Sequence, residues 1–179
     1  MIRKFFKTQR AAAGLYTAMA IIVFIYTLMF MTEYKDLFGL KLKQNDQISF
    51  FHDSILQTFN KQIFTFAIFG MLVILLTFLF QIFSKIPDKF ALIVIGLSLI
   101  LCCACSVYAL SNLQAIESYY AGLDFQYLSL EGMSDYELHF TTFRVGLGIY
   151  IFDIICSAFY AVTIGMSHFG YRKIQKRGV

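Results

Sequence analysis

The chain has 179 residues, 59% of them hydrophobic and 15% charged, with 15 Lys and Arg against 11 Asp and Glu. Soluble domains average about 45–50% apolar and about 25% charged, so an ordinary soluble domain is excluded. No polar stretch is longer than residues 111–144, so 1–179 is read as a single membrane domain with no room for a second.

Four apolar blocks carry the hydrophobicity: residues 11–31, 63–83, 90–110 and 145–166, each 21 or 22 residues long. At 1.5 Å per residue such a helix covers about 31 Å, the hydrocarbon thickness of a bilayer. None of the blocks contains proline, because the single Pro87 falls between the second and third. The expectation is an all-α integral membrane protein, a four-transmembrane-helix antiparallel bundle. The intervening segments are an outer loop at 32–62, a cytoplasmic link at 84–89, a second outer loop at 111–144 and a cytoplasmic tail at 167–179. The first block exceeds the apolar core of a signal peptide and ends in Phe30, Met31, Thr32 and Glu33, not in a small-residue cleavage site, so it reads as a retained anchor.

The outer loops carry structural signals of their own. In the first, Phe38, Leu40 and Leu42 alternate with Gly39, Lys41 and Lys43 as in a short strand. Asn45 and Asp46 then suit the cap of an amphipathic helix through Ile48, Phe51, Ile55 and Phe59. In the second, Leu123, Phe125 and Tyr127 alternate with Asp124 and Gln126. After Gly132, Ser134 and Glu137 have capping-box spacing ahead of a helix that feeds the fourth span through Phe140 and Phe143. The shared order of features suggests a two-hairpin internal repeat.

Charge sets the expected orientation. Arg3, Lys4, Lys7, Arg10, Lys85, Lys89, Arg172, Lys173, Lys176 and Arg177 flank one side, and Lys35, Lys41, Lys43, Lys61 and Arg144 the other. The positive-inside rule then places both termini and the link in the cytoplasm of a plasma-membrane protein. Basic residues split among three short segments do not form a nucleic-acid footprint.

Asp153 is the only charged residue inside a block. A carboxylate at the centre of a bilayer costs about 2.5–3.5 kcal/mol on insertion scales, so it must be paired, neutralised or in use. Ser157, Ala161 and Gly165 follow it at four-residue steps as a helix-packing stripe, and Ser98, Cys102 and Ser106 form a matching small face on the third span. Asp153 lies nine residues below Arg144, and Cys102 nine below Ser111, so both sit about 13–14 Å inside the outer boundary. Asp153 is therefore expected beside Cys102 and Ser106, with Tyr150 and Ser157 as further donors. Gly14 and Ala18 offer a shorter small face on the first helix. Two roles compete for the carboxyl: a lock between helices or subunits, and a proton or cation site on a water-filled path.

The second outer loop gathers Glu117, Asp124, Glu131, Asp135 and Glu137 with Tyr119, Tyr120, Tyr127 and Tyr136. Acids beside aromatic faces suit a cationic ligand or a basic partner surface, and equally a packed cap over the bundle. Cys102 and Cys105 have redox-motif spacing, but all four cysteines lie in apolar blocks and no second pair stands in a loop to pass electrons. His52, His139 and His168 do not suit a buried haem, and no metal, cofactor or catalytic motif is expected. The outline of four spans with two outer loops looks like that of claudins and tetraspanins, whose loop cysteine motifs are missing here. It is also similar in size and topology to pore-forming colicin immunity proteins.

The functional expectation is a non-enzymatic multi-pass protein acting through protein–protein interaction, as an accessory, assembly or immunity-type component of a membrane complex or as a homo-oligomer. The alternative is a small transporter or channel subunit with Asp153 on a proton or cation path.

Overall fold

A computed structural model describes residues 2–31, 50–83, 89–122 and 136–175, all of them helical except the turn residue Gly122. Helix α1 spans Ile2–Met31; a π-helical segment, Phe51–Leu56, runs into α2, Gln57–Phe83; α3 spans Lys89–Ala121 and α4 Tyr136–Gln175. Each contains a stretch long and apolar enough to cross a membrane. The strands expected near 38–43 and 123–127, and the caps at Asn45, Asp46 and Ser134, fall outside the described residues. The helix expected through Phe51, Ile55 and Phe59 is helical from residue 50 onward, its first turns wound as the π segment.

The helices run past the apolar blocks. α3 continues from Leu110 to Ala121, and α4 begins at Tyr136 and reaches Gln175. Forty residues of α4 cover about 60 Å, roughly twice the hydrocarbon thickness. The apolar blocks stop where solvation of side chains becomes favourable. Backbone hydrogen bonding has no reason to stop there, and the helices carry on into polar sequence.

Burial follows alternating three- and four-residue steps. On α3 the buried positions are Leu92, Ile95, Leu99, Cys102, Ser106, Ala109, Leu113, Ile116 and Tyr120. On α4 they are Phe143, Gly146, Tyr150, Asp153, Ser157, Tyr160 and Ile164, with Thr163 buried beside the last. A 3.5-residue repeat keeps one seam of a helix turned toward its neighbours over many turns. Outside the seams lie exposed apolar side chains such as Leu97, Leu101, Phe152 and Val162.

Packing is most extensive between α3 and α4, followed by α1 with α4, α1 with α2, and α2 with α3. Each helix thus has two neighbours, and the four close a ring. Two apolar clusters fill it. One gathers Tyr26, Phe51, Ile63, Leu113, Tyr120, Phe143 and Tyr150; the other gathers Ala12, Tyr16, Leu99, Cys102, Tyr160 and Ile164. At the end of the first cluster, Tyr120 packs between Phe51 and Phe143 with ring centroids 5.7 and 5.5 Å away, which ties the π segment to α3 and α4.

Candidate functional site: a buried carboxyl where four helices meet

Asp153 lies between the two clusters, 6% exposed, and its Oδ2 accepts a hydrogen bond of 2.6 Å from Ser106 Oγ. The heptad seams of α3 and α4 bring these residues face to face, with Cys102 one turn away on the same seam. The neighbours inferred from depth and the matching small faces, Cys102 and Ser106, are therefore both here, and Ser106 is the one that bonds.

Tyr16, on α1, completes the arrangement. Its hydroxyl is 3.1 Å from Gly70 O of α2 and 3.4 Å from Cys102 Sγ of α3, and its ring lies 5.8 Å from that of Tyr160 on α4. With the hydroxyl proton committed to the Gly70 carbonyl, the Cys102 thiol is left as donor to Tyr16. Tyr150 turns its ring edge toward Tyr26 at 6.0 Å, and its hydroxyl is buried without a hydrogen-bond partner. Asp153, Ser106, Cys102, Tyr16, Tyr150 and Gly70 border one cavity of about 30 Å³, whose remaining wall is apolar and which draws on all four helices.

The packing stripe divides. Ser157 is fully buried, but no hydrogen bond joins its Oγ to Asp153. Ala161 is half-buried against the Tyr16 cluster, and a Cβ placed on Gly165 would meet nothing within 4 Å. The reason is helical geometry: each four-residue step advances about 40° around the axis, so three steps carry Gly165 about 120° from Asp153. Ser98 is likewise half-buried, one position off the seam residue Leu99. On α1 the residues that pack are Ala12, Ala13, Tyr16, Ala20, Val23, Tyr26 and Thr27, whereas Gly14 and Ala18 are exposed.

Of the acidic and aromatic residues of the second outer segment, the three whose side chains are described have different environments. Glu117 is half-buried on α3, Tyr119 is exposed and stacks on Phe51 at 5.6 Å, and Tyr120 belongs to the core. Tyr136 and Glu137 open α4, and Asp124, Tyr127, Glu131 and Asp135 lie outside the described residues. Among the described residues no group of three or more His, Cys, Asp and Glu is placed to hold a metal, and Cys102, Cys103, Cys105 and Cys156 are free thiols.

Reading tyrosine as an interface residue hides Tyr16 and Tyr160. Their positions carried the signal: both lie inside apolar blocks, where a belt residue has no reason to be. Asn60, fully buried with neither amide atom hydrogen-bonded, is a second buried polar residue that apolar patterning passes over.

Comparison of the chain with protein-family models, curated proteins and solved structures finds no match. The chemistry of the site rests on its own geometry. A double-mutant cycle of Ser106→Ala with Asp153→Asn measures the hydrogen bond between them. Interhelical hydrogen bonds in membranes average about 0.6 kcal/mol and reach about 1.7, so a coupling of that order is expected in equilibrium unfolding in detergent. Zero coupling would mean that the two side chains do not interact.

Proposed function

We propose that this chain is a non-enzymatic, multi-pass plasma-membrane protein: an antiparallel four-helix bundle with both termini cytoplasmic, acting through protein–protein contacts as an accessory, assembly or immunity-type component of a membrane complex or as a homo-oligomer. One observation carries the reading. The interior is closed by large side chains, with Tyr16, Tyr120, Tyr160, Phe51 and Phe143 each under 2% or about 2% exposed, and the polar site leaves only about 30 Å³. A core filled in this way favours a scaffold over a conduit. The membrane charge is also turned into the chain's own bundle, so a partner is not needed to bury it and contact falls to the apolar outer faces and the segments beyond the spans. The acids and tyrosines of the second outer segment suit a basic partner surface or cationic ligand.

Crosslinking in cells followed by purification in mild detergent tests this: a defined partner or oligomer is expected, and a lone monomer under both conditions would count decisively against it. A second reading, a small transporter or channel subunit, draws support from the cavity at Asp153. It expects proton or cation flux in liposomes that disappears on Asp153→Asn.

A further inference from the structure

The polar wall of the Asp153 cavity is unevenly satisfied. Ser106 Oγ is committed to Asp153 Oδ2, and Tyr16 Oη lies within hydrogen-bond reach of Gly70 O and Cys102 Sγ. Tyr150, 2% exposed and bordering the same cavity, has a hydroxyl with no partner. Buried polar groups in folded proteins are almost always paired, with protein, water or an ion, so the unpaired hydroxyl beside a carboxyl marks a place for a ligand.

We propose that this cavity binds one small monovalent metal cation, a sodium ion, through the Asp153 carboxylate, Tyr150 Oη and Ser106 Oγ.

Charge, size and ligand chemistry each narrow the occupant. The titratable groups around the carboxyl are Tyr16 from α1; Cys102, Cys103 and Cys105 from α3; and Tyr150, Cys156 and Tyr160 from α4; the wall contributed by α2, Ile63, Phe66, Ala67 and Gly70, holds none. None of these groups is a cation at neutral pH, so among the described residues no side chain offsets an ionised Asp153, and the carboxyl is neutralised by its own proton or by a cation from solution. A volume of about 30 Å³ exceeds the roughly 10–15 Å³ that one water needs, which leaves room for a small cation. Calcium takes six to eight oxygen ligands and magnesium keeps several waters, which one carboxylate and two hydroxyls do not accommodate. The site concerns occupancy alone, and it stands whether the protein acts through partners or moves ions.

Infrared difference spectroscopy of the full chain in liposomes tests the proposal by following the carbonyl stretch of protonated Asp153. Asp153→Asn assigns the band, and ¹³C-aspartate labelling assigns it if that variant fails to fold, since Asp153 is the only aspartate in an apolar block. If sodium is the occupant, replacing choline chloride by sodium chloride at constant pH removes the band. Tyr150→Phe, which keeps the ring, should shift the half-saturating sodium concentration at least threefold. A band that responds to pH but not to sodium while the protein remains folded is an ordinary titrating carboxyl and overturns the proposal, as does a sodium response unchanged in Tyr150→Phe.

Discussion

Gly146→Val is expected to unfold the bundle or lower its melting temperature sharply, while Gly148→Val, two residues along the same helix, leaves it close to wild type. A Cβ on Gly146 would lie 2.6 Å from Tyr26 Cζ and 2.7 Å from Leu113 Cδ2, and it would overlap the Tyr26 hydroxyl. The same atom on Gly148 meets nothing within 4 Å. Gly146 is thus where α4 closes against α1 and α3 at once. The Leu113 methyl can rotate away, but the Tyr26 ring is held edge-on against Tyr150 and has little room to move. Overpacking of a core by a methyl group costs about 1–3 kcal/mol, and the further methyls of valine add to that against a total stability of about 5–15 kcal/mol. Alanine gives the sharper comparison, because Gly→Ala in a helix otherwise stabilises by about 1 kcal/mol. Gly146→Ala should therefore lower the melting temperature in detergent and Gly148→Ala should hold or raise it. Equal shifts would mean that the close approach does not exist.

The sequence makes the four apolar helices legible because hydrocarbon solvation is a composition-level effect: blocks of about 21 residues without proline or charge have few alternatives. It also places Asp153 at the depth of Cys102, one turn from Ser106 on the same face, because rise per residue is constant along a helix. Rotation about the helix axis is harder to read. A four-residue spacing looks like a face over two turns, but by Gly165 it has left the seam, whereas the alternating spacing of Phe143, Gly146, Tyr150, Asp153, Ser157 and Tyr160 stays on it. That pattern mixes aromatic, small and charged residues, so hydrophobicity does not reveal it. In a membrane protein the outside is as apolar as the inside, and residues facing lipid and residues facing the core differ only in size and polarity. Of the polar residues bordering the cavity, Tyr16 escapes prediction for a related reason: its amphipathic ring equally suits the membrane interface.

Tyr16→Ala is expected to destabilise the protein by about 3–5 kcal/mol, the range for removing a large buried aromatic side chain. Tyr16 sits on α1 yet touches each of the other helices, through Gly70 of α2, Cys102 of α3 and Tyr160 of α4. The contact to Cys102 crosses the ring of helices, between elements that are not neighbours, so the side chain fills the middle of the bundle and joins the two halves of its core. Tyr16→Phe separates filling from hydrogen bonding. It keeps the ring and removes the hydroxyl, for an expected loss of about 0.6–1.7 kcal/mol, because the Gly70 carbonyl still belongs to its own helix and only the Cys102 thiol loses an acceptor. Unfolding equilibria in detergent distinguish the two contributions, and comparable losses from both variants would shift the weight from packing to the hydroxyl. Thiol chemistry gives an independent readout. In a background lacking the other three cysteines, Cys102 is 6% exposed behind Tyr16. Its maleimide labelling should be slow in that background and in Tyr16→Phe, and many-fold faster in Tyr16→Ala. Such a result would show that the ring of Tyr16 keeps the middle of the bundle shut around Asp153, and equal labelling in all three would show that the closure lies elsewhere.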